Sequence, residues 1–219
     1  TPLMSGLPSG SINAMVEHPD NPDVLFLGTE HHVFASTDRG ATWAQIPGIP
    51  TTAYDDLIIH PREKDLVLGT HGRGIWILDD TTPIAEWSAQ AGAEGVHVFS
   101  VQDATIFNYR KDTSYRAAEA WAGDNPVDGA MITYRLDAGS GEARLRVTNE
   151  DDRVVWKKGV PSTAGVHRVN WNLRHQPAEG PDQWAPHDDP QLARSLASRG
   201  PWVSPGSYTV TVEAGVPRV

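Results

Sequence analysis

The groups in this sequence that could do chemistry are carboxylates, histidines and a few arginines. Hydrolysis of a glycosidic bond takes two carboxyl groups flanking it, roughly 5–9.5 Å apart. Glu17, Glu30, Asp55, Asp56, Asp79 and Asp80 are candidates within residues 1–90. Asp55-Asp56 and Asp79-Asp80 are sequence neighbours, and neighbours on a strand point to opposite faces, so adjacency alone does not pair them. The other route to the same cleavage grips a substrate carboxylate with several arginines and attacks with a tyrosine. Within residues 1–90 only Arg62 and Arg73 lie outside the turn at 38–43, so that constellation is not assembled.

Nine histidines invite a metal. His31-His32 are adjacent, and His175, His187, Asp188 and Asp189 share one stretch, but no His-x-x-x-His spacing or cysteine partner occurs. Asp151-Asp152 and Asp188-Asp189 lack the Asp-x-Asp-x-Asp-Gly frame of a calcium loop and read as solvated turn acids. Neither a metal nor a cofactor is expected. Gly69-Thr70-His71-Gly72-Arg73-Gly74 lacks the Gly-Lys-Ser/Thr of a phosphate loop and leads into an apolar run, so it reads as a tight hairpin. The sharper reading makes His71, Arg73 and Asp79 a ligand-facing set. No Gly-x-Ser-x-Gly elbow is present.

Composition narrows the partners. The formal net charge is −10, with 28 Asp+Glu against 18 Lys+Arg. No basic stripe is available to neutralise phosphates, which argues against nucleic acid, and the same balance disfavours an anionic membrane surface. No apolar run approaches the ~18 residues that span a bilayer. The absence of cysteine removes disulfides, thiolate metal sites and thiol nucleophiles. Twenty glycines and seventeen prolines imply many short turns and an all-β chain.

The elements that would position these side chains come in a repeat. Met15-Val16-Glu17-His18-Pro19, Val24–Thr29 and Val33–Asp38 are echoed by Leu57-Ile58-Ile59-His60-Pro61, Leu66–Thr70 and Ile75–Asp79. His18 and His60 are 42 positions apart, and Gly28 and Gly69 are 41 apart. A period of about 40–45 residues with several short strands is the spacing of β-propeller blades. Strands are expected at Ile12–Val16, Val24–Gly28, Val33–Ser36 and Trp43–Ile46, then at Tyr54–Ile59, Leu66–Thr70 and Ile75–Leu78, with His-Pro and Asn-Pro-Asp turns between them.

Ser36-Thr37-Asp38-Arg39-Gly40-Ala41-Thr42-Trp43 satisfies Ser-x-Asp-x-Gly-x-Thr-Trp at Ser36, Asp38, Gly40, Thr42 and Trp43. It resembles the Asp-box of the BNR-repeat propellers of sialidases, xyloglucanases and sortilin-like proteins. Its logic is local: a short acid accepts bonds from turn amides, Gly40 permits a positive φ, and Trp43 is expected to pack between blades. Asp38 therefore reads as a hairpin staple rather than a catalytic acid. Asp79-Asp80-Thr81-Thr82-Pro83 keeps the acid without the glycine or tryptophan, as a terminal repeat does. Leu66 to Asp80 resembles the closing blade of large bacterial sortilin-like proteins, in which a small β-sandwich follows the propeller. Two blades do not close a ring, so a C-terminal piece of a longer protein is expected, its export signal upstream of Thr1.

Residues 91–128 lose periodicity and read as a connecting segment. From Gly129 alternation returns at Ala130–Leu136, Ala143–Val147, Val154–Trp156, Val166–Leu173 and Tyr208–Val212. Five short strands over 129–219 fit a sandwich resembling the Ig-like domain of the flagellar hook-capping protein. An insertion at 175–202 contains a helix expected over Gln191–Ser198, with Asp189 as N-cap and Pro190 at N1.

The expected fold is thus all-β, with the last two blades of a β-propeller in residues 1–90 and an Ig-like β-sandwich in 129–219. The resemblance implies a non-catalytic region of an exported protein that binds a protein or glycan and closes the structure beside the remaining blades of its parent. The competing expectation is part of a xyloglucanase- or sialidase-like glycoside hydrolase whose catalytic carboxylates lie in blades outside this chain.

Overall fold

The computed structural model describes residues 6–87, 95–107, 127–137, 141–177 and 200–215. The chain divides into two compact units, Thr1–Ala93 and Glu94–Val219. Both are built from antiparallel β-sheets, and the described helix is a single turn.

In the first unit β1 (Ile12–His18), β2 (Asn21–Thr29), β3 (Val33–Ser36) and β4 (Ala44–Gln45) form sheet I in that order. β5 (Tyr54–Ile59), β6 (Leu66–Thr70) and β7 (Ile75–Leu78) form sheet II. Each is a meander of neighbours joined by short turns, the simplest solution for alternating apolar strands. The Asn-Pro-Asp turn expected before β2 is not there. His18 pairs with Asn21, so residues 19–20 make the turn and Pro22 sits at the start of β2, where a missing N–H costs least. After β7, Thr82–Ala85 form the helical turn α1, with Pro83 near its start.

The strand period of two gives each sheet two faces. The front of sheet I carries Val24, Phe26 and Val33, with Val16 and Ala14 beside them. It packs on the back of sheet II, where Leu57, Ile59, Leu66 and Leu68 point. Tyr54 completes this core, fully buried, its hydroxyl donating to Pro50 O at 2.6 Å. Gly28 is what lets Tyr54 in: a Cβ at 28 would lie 3.0 Å from both the Cβ and the carbonyl oxygen of Tyr54. Trp43 lies away from the core between sheets I and II, clustered with Leu27 and Phe34 under Leu7 on the back of sheet I.

The two sheets repeat one another in backbone detail. Their first strands carry a register shift at the same place, between Ile12 and Ala14 and between Tyr54 and Asp56. Gly6 and Gly48 precede them with φ of 88° and 82°. Arg39 and Asp80, 41 positions apart, both turn left-handed at φ 59° and 54°. The second turn thus keeps the conformation after losing the glycine and tryptophan of the first.

The second unit holds β8 (Val96–Val98), β9 (Ala130–Leu136), β10 (Ala143–Thr148), β11 (Val154–Val160), β12 (Gly165–Trp171) and β13 (Thr209–Ala214). Two three-stranded sheets form, in orders β12-β9-β8 and β11-β10-β13. Their facing sides share one core of Ile132, Tyr134, Leu145, Val147, Trp171 and Val212, among others. Arg144 and Arg146 alternate outward from β10, and Arg146 meets Glu213 across the strands at 2.8 Å. β8 falls inside the stretch read as a connector; its pairing with β9 makes it part of this unit. The helix expected at Gln191–Ser198 lies outside the described residues. The ends of that insertion are clamped together: His175 N–H donates to Pro201 O at 2.9 Å, and the Arg174 guanidinium stacks 3.5 Å over the Trp202 ring.

His18 closes β1 at 2% exposure, with Nδ1 accepting the Asp20 N–H at 3.2 Å. Burial holds its pKa below the ordinary 6.5, the nearby Asp20 carboxylate opposing this and Lys64 reinforcing it. A lowered folded value means the unfolded chain takes up the proton first. Stability from this group is full above pH 6.5 and drains as pH falls from there through the folded value. The melting temperature of the first unit is therefore expected to drop as pH falls below about 6.5. His18→Asn, which keeps an acceptor for Asp20 N–H, is expected to flatten that slope in a pH series of thermal melts; an unchanged slope refutes the assignment.

Candidate functional site

Sheets I and II present chemistry at opposite ends. At one end the turn from Ser36 to Trp43 links β3 to β4. Ser36 Oγ donates to Asp38 Oδ1 at 2.7 Å and accepts the Gly40 N–H at 2.8 Å. Asp38 also accepts the Thr42 N–H at 2.8 Å and the Thr42 hydroxyl at 2.6 Å. Gly40 holds φ at 81°, a conformation glycine enters without a Cβ penalty. The Thr42 hydroxyl, then its N–H and the Ser36 hydroxyl, hold the Asp38 carboxyl below the usual carboxylate range. A carboxylate so held carries no proton at neutral pH and has none to donate to a leaving group. What this arrangement does is fold a turn.

The other end is built by the β2–β3 turn at 29–32, the β6–β7 turn at 71–74 and the segment 50–53 between the sheets. Thr52 ties them together: its N–H donates to His31 O at 3.2 Å and its hydroxyl to His71 O at 3.1 Å. The His71 N–H donates to Ala53 O at 2.9 Å, and its Nδ1 lies 3.2 Å from Asp55 Oδ2. Gly72 and Gly74, at φ 76° and 75°, bend the 71–74 turn and leave the Arg73 side chain in solvent. Trp76 Nε1 donates to Arg73 O at 3.1 Å, which brings an indole that is 41% exposed beside this end. Glu30 is also here, accepting the Ser11 hydroxyl at 2.7 Å. An exposed imidazole, a guanidinium and an indole face thus gather on turns held by backbone bonds.

His71 and Arg73 share this end, but Asp79 does not. Leu78 pairs with Leu66, so Asp79 follows β7 at the end of sheet II opposite the 71–74 turn. A four-residue strand at roughly 3.3 Å per residue separates Asp79 from the turn that bears His71 and Arg73. Among the described residues, no group of three or more His, Asp or Glu side chains could hold a metal ion. Thr52 was missed from the sequence because a threonine in a loop carries no chemical signature. A signal did exist in Gly6-Leu7-Pro8 and Gly48-Ile49-Pro50, again 42 positions apart, which extends the repeat upstream into that segment.

No family model matches the sequence, and no curated protein matches it. Among solved structures, it aligns with PorZ, a bacterial surface component of the type-IX secretion system of Porphyromonas gingivalis, at 15% identity and a TM-score of 0.26. The match covers 93% of this chain and 28% of the PorZ chain, so the chain spans less than a third of that protein's length. A TM-score of this size identifies no fold. No described helix is long and apolar enough to cross a membrane.

Gly40→Ala is expected to cost about 1–2 kcal/mol, because it places a Cβ in the left-handed region. The loss should show as faster amide exchange in Val33–Ser36, whose strand this turn ends. Unchanged protection would mean that the turn does not depend on glycine.

Proposed function

We propose that this chain is a non-catalytic region of an exported repeat-propeller protein. Two blades of the BNR, Asp-box type are followed by an Ig-like β-sandwich, and together they bind a protein or glycan and close the structure. The observation that carries this reading is the head-to-tail stacking of two sheets whose register shifts, positive-φ glycines and left-handed turns recur at the same repeat positions. Propeller blades stack in this sense, front on back. The two three-stranded sheets around one core in the second unit support the sandwich in the same way.

The binding end in this reading is the one bearing His71, Arg73 and Trp76. A guanidinium recognises carboxylates and polar oxygens, and an indole face takes a sugar ring or an apolar side chain. Turns positioned by a rigid sheet are where such recognition groups usually sit. Asp38, Gly40 and Trp43 serve instead to staple the opposite end. The second reading, part of a xyloglucanase- or sialidase-like hydrolase, rests on the Ser36–Trp43 motif. That motif here holds a turn and offers no proton, so catalysis would have to come from carboxylates outside this chain.

The test is a printed oligosaccharide array followed by titration calorimetry on the best binder. Binding is expected without release of reducing sugar, and Arg73→Ala or Trp76→Ala should weaken it at least about tenfold, the scale of one good polar or stacking contact. Turnover of aryl glycosides or xyloglucan oligosaccharides by the full-length parent protein would replace this reading with the hydrolase. Unchanged affinity in both variants would move the binding site elsewhere.

A further inference from the structure

The lysines and arginines described in the first unit are Arg39, Arg62, Lys64 and Arg73, and they are not used alike. Arg39 pairs with Asp23, Arg62 with Glu63 and Lys64 with Asp20. Among the described residues, Arg73 meets no carboxylate: Asp55 at the same end faces His71 Nδ1, and Glu30 accepts the Ser11 hydroxyl. The Arg73 side chain stands in solvent on a chain of net charge −10. One unpaired surface arginine is ordinary. What surrounds this one is not.

Gly72 and Gly74 flank Arg73 in the turn, and a Cβ at either would meet nothing within 4 Å. The approach to the turn backbone is therefore open beside the guanidinium. Trp76 already donates its one polar hydrogen to Arg73 O, at 3.1 Å. That bond fixes the indole beside the arginine and leaves the ring faces as what Trp76 offers a ligand. His71 turns Nδ1 to Asp55 at 3.2 Å, so its Nε2 is left to accept from a hydroxyl.

A neutral pyranose uses the indole face but offers the guanidinium only hydroxyls. A hexuronic acid carries a carboxylate on the ring itself, at the edge of its apolar C–H face. One such residue lays that face on the indole while its carboxylate takes the adjacent guanidinium in a two-point, charge-assisted contact. Nucleic acid fits less well, because a duplex presents a charge every ~1.7 Å to a single unpaired cation. We propose that the ligand of this end is a uronic-acid-bearing glycan, with Arg73 reading the carboxylate, Trp76 the ring face and His71 a ring hydroxyl. The inference rests on the proposed function and narrows its ligand to an acidic sugar. Blades stack through their sheet faces, so further blades of a longer parent leave the 71–74 turn, at the end of its sheet, open.

The test uses trimers of galacturonate, mannuronate and guluronate, each titrated into the protein by calorimetry alongside its methyl ester. The ester keeps ring, linkage and length and loses only the charge. At least one acid is expected to bind at least about tenfold tighter than its ester, a preference that raised salt narrows. Arg73→Gln should lower affinity for the acid to that of the ester, and Arg73→Lys should restore part of the preference. Trp76→Ala should weaken acid and ester together. Trp76→Phe, which keeps a ring face, and far-UV circular dichroism separate lost stacking from a lost fold. Equal affinity for acid and ester, or a preference for the acid that survives Arg73→Gln, overturns the inference. Neutral glycans bound without any uronate preference overturn it and leave glycan binding standing, whereas absence of all glycan binding removes the glycan reading along with it.

Discussion

The first unit depends on one contact, the Tyr54 side chain seated over Gly28. A sheet of short apolar strands must bury an apolar face against another element, and two sheets approach closely where one has no side chain in the way. Gly28 is that gap. Tyr54 fills it without leaving a polar atom stranded, because its hydroxyl reaches Pro50 O. Everything apolar on the front of sheet I and the back of sheet II gathers around this pair. The bulge after Tyr54 aims the ring into the gap while returning the rest of β5 to regular pairing with β6.

Turn chemistry then decides which end of each sheet is free for recognition. The Ser36–Trp43 turn spends its hydroxyls and its carboxylate on one another and on its own backbone. The 71–74 turn uses glycines and backbone bonds instead, so the Arg73 side chain stays in solvent and the exposed His71 imidazole engages Asp55 through Nδ1 alone. The two turns thus look alike in a sequence, each a glycine-bearing run with charged residues, but do opposite things. One consumes its polar groups to hold shape, and the other is held in shape by Thr52 and Ala53 from a neighbouring segment.

The second unit applies the same rule of facing apolar sides in a different way. Its strands do not repeat, and they place one core between two three-stranded sheets. β8 contributes three residues from a stretch with no readable alternation. Its polar His97 stands between two valines, and its partner β9 supplies the register. The two ends of the 175–202 stretch meet through a backbone bond from His175 to Pro201 and a cation–π contact of Arg174 with Trp202.

By itself the sequence determined the all-β character, through its alternating short runs and turn residues. It also determined the repeat, through His-Pro, Gly-Thr and the apolar triplets recurring at 41–42 positions. It revealed the Ser36–Trp43 turn too, because the bonds that Ser36, Asp38, Gly40 and Thr42 exchange are made within seven residues. Local patterns survive in sequence because the atoms that satisfy them are near neighbours along the chain. Tertiary structure alone decided that Asp79 lies at the far end of β7 from Arg73, since strand direction, not residue spacing, sets which end a group occupies. It alone brought Thr52 between His31 and His71 and placed Trp43 on the back of sheet I. Those outcomes depend on which sheet meets which, and that is settled by the packing of distant residues such as Tyr54 and Gly28.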